Sequence, residues 1–473
     1  MLRRRLEGCS SDLEVIMARK RIDSATAQPD GKIAGKYGKL ILAVLVPVAI
    51  AAIVWYVTLP VLRYTLLMQE QKGLFLFTHD YFRQVLSDSW PVTTLISDFL
   101  VQFYGNASLG ALITALIVAK TYMMVCTIFR FTSFRQVLGG LAAAGTWYAI
   151  AHANTPHAGV VILMLAFLLA LASLLVPLAL KRLPLAFKKL AVKAGPGTGW
   201  WQAAAAVALT VGAGFLVATD KDLRESERWY AVEYLSRAHD WDVLLQIATP
   251  ATCRNDMSYT PYALLALNAK GQLGERILDY PVNGPESLGD LGEMTWSGYS
   301  LRSQIQEVVG GTNEAIHLTY QLGMALPHGT SFGTLRQLIR LEIENGSYGL
   351  ARKHAQVLSR SPWNRKTAES AIRMADASER EAAGAGTAGI SGTSLDAAED
   401  DLRRTDAMVS ENNAIYNLTA VIANSPHATS AARERLLCHL LLSGDAAGFR
   451  SLLREFYGDA DRSKLPRYFR ESI

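Results

Sequence analysis

Between residues 40 and 218 long apolar runs, almost free of charge, are separated by short polar or basic turns; from residue 219 onward charged and apolar positions mix at helical spacing. A helix needs roughly 20 apolar residues to cross the hydrocarbon layer. Five stretches approach that length: residues 40–62 (LILAVLVPVAIAAIVWYVTLPVL), 109–129, 137–153, 158–180 and 200–218. The third, VLGGLAAAGTWYAIAHA, is short but rich in small residues, which suits close packing against neighbouring helices. In the loop 63–108, Leu95, Phe99 and Phe103, with Ile96 and Leu100, share one face at helical spacing, so two amphipathic helices are predicted there. The pattern predicts an all-α chain: a polytopic membrane domain of about five spans over 40–218, then a helical domain over 219–473.

Charge orients this arrangement. Nine basic residues precede the first run, three lie in the next loop, two follow the second run, none the third, and five follow the fourth. Loops on the cytoplasmic side collect Lys and Arg, so the alternation predicts a cytoplasmic amino terminus and an extracytoplasmic carboxyl domain, in the inner membrane of a bacterium. It also requires the short third run to cross. Residues 1–39, basic and poor in aromatics, are expected to be a disordered cytoplasmic tail, and the first span an uncleaved anchor. The formal net charge is only +5. No basic stripe interleaved with aromatics occurs, so membrane lipid rather than nucleic acid is the expected contact of the basic residues.

In the carboxyl half, NGSYGLARKHAQVL (residues 345–358) carries Gly346, Tyr348 and Ala351 at the G-x-Y-x-x-A spacing of a tetratricopeptide turn and second helix. The Gly ends one helix, the aromatic fills the gap between the antiparallel pair, and the small residue permits a close crossing. Weaker copies follow Gly271, Gly311 and Gly444, and HDWDVLLQIA from His239 is equivalent, at steps of about 32 to 40 residues within the array. A helical solenoid of this type presents a concave groove to a protein or peptide partner. The first helices of the repeats, around residues 259–269 and 336–344, are the expected lining, with Arg336, Arg340 and Arg352 as binding residues. The Gly/Ala/Ser/Thr-rich run near 382–394 reads as a flexible excursion in the array.

EQKGLFLFTHDYF, ISDFLVQFYGNASLGALI, WYAVEYLSRAHDWDVLLQIA, QLGERILDYPVNGPESL, LIRLEIENGSYGLARKH, RERLLCHLLLSGDAAGFRSLLREFYG and KLPRYF together resemble a family of bacterial multi-span membrane proteins of unknown function. In that family several spans precede a tetratricopeptide-like tail. The resemblance runs from about residue 69 to the end and implies this layout, but no activity, substrate or catalytic residue.

Candidate chemistry is sparse. In LFLFTHDYF (residues 74–82) Asp80 is placed like the base of membrane glycosyltransferases that use lipid-linked sugars, with His79 or Asp98 assisting. The competing reading has Phe75, Phe77, Tyr81 and Phe82 seated in the headgroup layer and Asp80 capping a helix that starts at Tyr81. Lys120, within the second span, is expected to find a polar or carbonyl partner on the third span, because an unpaired intramembrane charge costs several kcal/mol. His152 and His157 flank a turn, but no third ligand accompanies them, so no metal is expected. Cys253 and Cys438 both fall in the outer domain, where a disulfide is permitted. No P-loop, GxGxxG, HExxH or GxSxG is present, and no cofactor is expected. The expectation is a membrane-tethered scaffold that captures envelope proteins or peptides; the alternative is a reduced glycosyltransferase-like enzyme using Asp80.

Overall fold

The computed structural model describes residues 30–129, 134–153, 156–180, 200–289, 295–326, 328–387, 419–420, 422–425, 428–458 and 462–473, and every regular element among them is helical. The apolar half contributes α1 (Asp30–Val61), α2 (Arg63–Lys72), α3 (His79–Leu86), α4 (Pro91–Val101), α5 (Ala107–Ile128), α6 (Arg135–Ala153), α7 (Pro156–Leu180) and α8 (Trp200–Thr219). Helices α1, α5, α6, α7 and α8 pack as one bundle. Three of them, at Ala43–Val61, Ala107–Ile128 and Trp200–Thr219, are long and apolar enough to cross a membrane. Residues 30–39, expected in a disordered tail, already belong to α1, and residues 1–29 lie outside the described residues.

The bundle is built inside out. Its interior holds Thr58, Thr114, Thr121, Thr146 and Thr210 among Ala115, Ala143 and Ala206, while Leu112, Leu116, Leu141, Phe167, Leu168 and Phe215 point outward. The threonine hydroxyls of α5, α6 and α8 donate back to carbonyls one turn earlier: Thr114 to Gly110 at 3.1 Å, Thr121 to Ile117 at 3.0 Å, Thr146 to Ala142 at 2.7 Å and Thr210 to Ala206 at 3.0 Å. Such a helix satisfies its own polar groups and can meet hydrocarbon on one side and small residues on the other. Trp147 is fully buried at the centre and donates its indole N–H to the Thr58 hydroxyl at 3.1 Å. Gly140 of α6 lies directly against the backbone of Ala206 on α8.

Lys120 departs from expectation. It is exposed on the outward face of α5 between Leu116 and Met123 and makes no hydrogen bond or ion pair with a described residue. Among the described residues the bundle interior is filled by Ala, Thr, aliphatic side chains and Trp147, with no carboxylate to receive an ammonium.

The stretch 73–78 is extended and threads into the carboxyl half. The Gly73 carbonyl accepts from the Phe332 amide at 3.0 Å, and the Phe77 amide donates to the Arg360 carbonyl at 3.0 Å. Alternation sends Leu74 into a core with Phe332, Leu335, Ile339 and Leu358, and Phe75 to the other side, among Tyr81, Phe82 and Phe99. Phe75 and Tyr81 are therefore buried and do not seat the loop in a headgroup layer, although Phe77 is exposed. Thr78, not Asp80, caps α3, accepting from the Tyr81 amide. On α4 the polar side, Thr93 and Ser97, is buried, whereas Ile96 and Phe99 are exposed alongside Leu86, Trp90 and Val92.

The carboxyl half comprises α9 (Lys221–Arg237), α10 (Trp241–Ile247), α11 (Pro250–Asn255), α12 (Thr260–Ala269), α13 (Leu273–Arg276), α14 (Trp296–Val309), α15 (Thr312–Met324), α16 (Phe332–Glu344), α17 (Tyr348–Leu358), α18 (Arg365–Thr387), α19 (Ser430–Ser443), α20 (Ala446–Tyr457) and α21 (Arg467–Glu471). Helices α14 to α18 stack in chain order. The five recurring stops each take a left-handed residue: His239 (φ 57°), Gly271 (63°), Gly310 (94°), Gly346 (72°) and Gly444 (74°). In each, the next amide reaches back to a carbonyl five residues earlier, as in Ser347 to Glu342 at 2.7 Å and Asp240 to Leu235 at 2.9 Å. The third stop is Gly310 rather than Gly311, so the buried small residue five positions on is Ala315, matching Ala351 after Gly346.

The chain's end folds back across α12 and α13. Asn268 donates to the Ala431 carbonyl at 2.9 Å, the Gly274 amide to Glu434 Oε1 at 2.9 Å, and Phe469 packs on Gly274. Residues 259–269, expected to line a groove, are consequently core: Ala263, Leu264, Leu265, Ala266 and Leu267 are all fully buried. Cys253 and Cys438 share this core as free thiols. Part of the expected flexible excursion, up to Thr387, continues α18, because its alanines favour helix; residues 388–394 lie outside the described residues.

The α6 crossing gives a matched test. Gly140→Val drives a branched side chain into the Ala206 backbone, 2.7 Å from the position of its Cβ, whereas Gly145 has nothing within 4 Å. Size-exclusion profiles in detergent should show loss of the monodisperse peak for Gly140→Val and none for Gly145→Val.

Candidate functional site

Two helices of the bundle are prolonged into the carboxyl half, α1 by α2 and α8 by α9, and they meet there. Glu227 of α9 grips the amino-terminal turn of α2. Its Oε1 accepts from the Tyr64 amide at 2.6 Å, and its Oε2 accepts from the Thr65 amide at 2.9 Å and the Thr65 hydroxyl at 2.7 Å. The first amides of a helix have no partner within it and favour negative charge, so one carboxylate answers both needs. Burial nevertheless raises the Glu227 pKa to about 7, with those hydrogen bonds and Arg63 pulling the other way.

Further along the same pair, charges are buried in a row. Glu70 is raised to about 7 by burial, against the Gln71 amide bonded to it at 3.1 Å and the field of Arg336. Glu233 is raised to about 7 by burial, opposed by Lys72 and Arg237. Lys72 lies over the rings of Trp296 (4.2 Å) and Tyr230 (5.1 Å), and burial lowers its pKa. Arg237 stacks on the other part of the Trp296 environment, 5.1 Å from the ring, and burial lowers its pKa as well. Aromatic faces thus hold two cations where few carboxylates reach them.

Arg237 also opens onto a cavity of about 560 Å³, within the range of small-ligand sites. Its walls are Gln71 of α2, Tyr234 and Arg237 of α9, His239, Gln304 of α14, one face of α16, Leu358 of α17 and the start of α18 through Met374. From α16 come Arg336, Gln337, Ile339, Arg340, Ile343 and Glu344. Arg340 forms an ion pair with Glu307 and approaches the His239 ring at 3.2 Å. His239 Nε2 lies 3.2 Å from Glu307, and its ring stacks on Trp241. Arg336 is exposed to the cavity and, among the described residues, has no hydrogen bond or ion pair.

Of the residues expected to bind, Arg336 and Arg340 line this cavity. Arg352 does not; it faces away, paired with Asp376 at 3.1 Å and Glu379 at 2.6 Å. Asp80 and His79 stand in solvent, 98% and 79% exposed, 3.7 Å from each other and outside the cavity. Asp98 sits apart from them, accepting from the Tyr81 hydroxyl at 2.6 Å with His328 at 3.8 Å, and burial raises its pKa. His152 bonds Asp220 at 3.2 Å, tying the end of α6 to the start of α9. Among the described residues no group of three or more His, Cys, Asp or Glu is placed to hold a metal ion.

Sequence reasoning missed Arg237 and His239. Arg237 gives no local signal, because its neighbours come from α2, α14 and α16. His239 did leave one: it takes the place that Gly holds in the other four repeat stops, and it alone among described non-glycine residues has positive φ. A strained residue at the rim of a cavity points to a role for that residue.

A family profile described as "Family of unknown function (DUF6057)" matches residues 36–210 and 171–473. No curated protein matches the chain, and no solved structure matches it.

The buried carboxylates set an inverted pH response. Glu70, Glu227, Glu233 and Glu434 each rise from 4.5 to about 7 in the fold, so the folded chain holds protons the unfolded chain has released. Their stabilisation is full below about pH 4.5 and is lost as pH rises toward about 7. Thermal midpoints should fall from pH 5 to pH 7.5, and Glu233→Gln should flatten that slope; a midpoint that climbs over this range contradicts the assignment. Separately, His239→Gly relieves a left-handed residue worth about 1–2 kcal/mol and should raise the midpoint by a few degrees.

Proposed function

The chain belongs to DUF6057, a family of unknown function, and we propose that it is a membrane-tethered binding module whose outer helical domain receives a segment of a partner in the arginine-lined cavity. The observation that carries this reading is the origin of the cavity walls. Two are the prolongations of α1 and α8, and the rest come from the stacked helices α14 to α18. A partner held there is held at a set height above the bundle.

In this reading all five bundle helices cross the membrane. The short α6 and the apolar α7 join the three longer ones because they pack in the same inside-out bundle, and the alternation of basic loops supports a cytoplasmic amino terminus and an extracytoplasmic carboxyl domain. The repeated left-handed stops, each followed five residues on by Leu244, Ala315, Ala351 or Phe449 in four of the five, support hairpins of tetratricopeptide type. The exposed apolar face of α3 and α4 provides a seat in the outer headgroup layer. The setting is the inner membrane of a bacterial cell envelope, with envelope proteins or peptides as partners. The glycosyltransferase-like alternative draws nothing from the surroundings of Asp80, whose one ion pair among the described residues is with His79.

A photo-crosslinking residue tests the reading. Placed at Ile343 in the cavity, in full-length protein in native membranes, it should give discrete adducts that are absent when the same residue replaces exposed Lys353 on α17, outside the cavity. Identical adducts from both positions, or none from Ile343, would remove the cavity as the working surface.

A further inference from the structure

We infer that the cavity selects an acidic peptide segment, seating a carboxylate on Arg336 and an apolar side chain against Ile339, Ile343 and Met374. The inference rests on the binding-module reading and adds the chemistry of the ligand. Three guanidiniums, of Arg237, Arg336 and Arg340, converge on this one space together with His239, and among the described residues Glu344 is the only acidic side chain lining it. Glu307 neutralises Arg340 from behind. Arg336 is left with no ion pair among the described residues, and its planar fork matches a carboxylate.

The carboxylates nearest these cations, Glu70 in the field of Arg336 included, offer weak compensation. Glu70, behind Gln71, and Glu233, beside Arg237, both have their ionisation disfavoured by burial, and Glu344 is pushed in the same direction by burial and by Glu307. A second anion would therefore enter a field already short of negative charge. Because the site is buried on several sides, the interaction would be less screened than at an open surface.

Distance along α2 and α9 bears on the source of the anion. At 1.5 Å per residue, Gln71 stands about 15 Å beyond Val61, and Arg237 about 27 Å beyond Thr219. That length of helix beyond the bundle favours a soluble peptide over a lipid headgroup as the source. Size argues against an inorganic anion alone: a cavity of about 560 Å³ whose floor carries Ile339, Ile343, Leu358, Ala371 and Met374 asks for an apolar body attached to the charge.

The test uses the full-length protein in nanodiscs and two fluorescein-labelled hexapeptides, one alternating leucine with glutamate, the other leucine with glutamine. Fluorescence anisotropy should show the glutamate peptide binding at least tenfold more tightly. Arg336→Gln should erase that preference while leaving the glutamine peptide unchanged, and Arg352→Gln should leave both affinities unchanged. Equal affinity for the two peptides would overturn the carboxylate assignment and leave the binding module standing. Binding of neither peptide would overturn both. Displacement of the glutamate peptide by inorganic phosphate at equal concentration, dependent on Arg336, would overturn the peptide as the source of the anion.

Discussion

Glu227 joins the two halves of this molecule. By accepting from the Tyr64 and Thr65 amides it welds the first turn after α1 to the first turns after α8, and each such hydrogen bond contributes about 0.5–1.5 kcal/mol. Everything outside the bundle is then referred to that junction. From it α2 delivers Gln71 and the extended stretch 73–78 to α16, and α9 delivers Arg237 and His239 to the same place. The cavity is thus defined by where two helices leave the apolar bundle.

Fixing that junction has a cost in buried charge. Glu70, Lys72, Glu233 and Arg237 are drawn out of water along the contact of α2 with α9, where Trp296 and Tyr230 supply ring faces in place of solvent. A hydrophobic seam would be easier to stabilise, since desolvating ions often cancels their attraction. The arrangement leaves cations facing the cavity with carboxylates that ionise reluctantly behind them. Structure and proposed recognition therefore share one set of residues.

Much of the fold was legible in the chain. Apolar runs located the bundle helices, and the recurrence of Gly near small residues located the helix stops, because a left-handed turn needs Gly more than any other residue. Its register slipped once, at Gly310 beside Gly311, where two adjacent glycines give pattern alone no way to choose. Aromatics in LFLFTHDYF misled for a different reason: an extended segment alternates its faces, and which face is covered depends on α16 and α17, distant in sequence. Of the candidate site, Arg336 and Arg340 were readable from their shared helix face. Arg352 carried the same local pattern but met Asp376 and Glu379 on α18 instead.

The sequence by itself determined the helical character of the described residues, the apolar segments that pack into the bundle and the repeated stops of the carboxyl half, since these follow from local hydrophobicity, periodicity and backbone conformation. Tertiary structure alone decided that residues 259–269 became core beneath the returning α19 and α21, that Lys120 faced outward, and that Arg237 and His239 joined Arg336 around one cavity. Those outcomes depend on contacts between segments distant in the chain, and no local pattern encodes which surface will arrive.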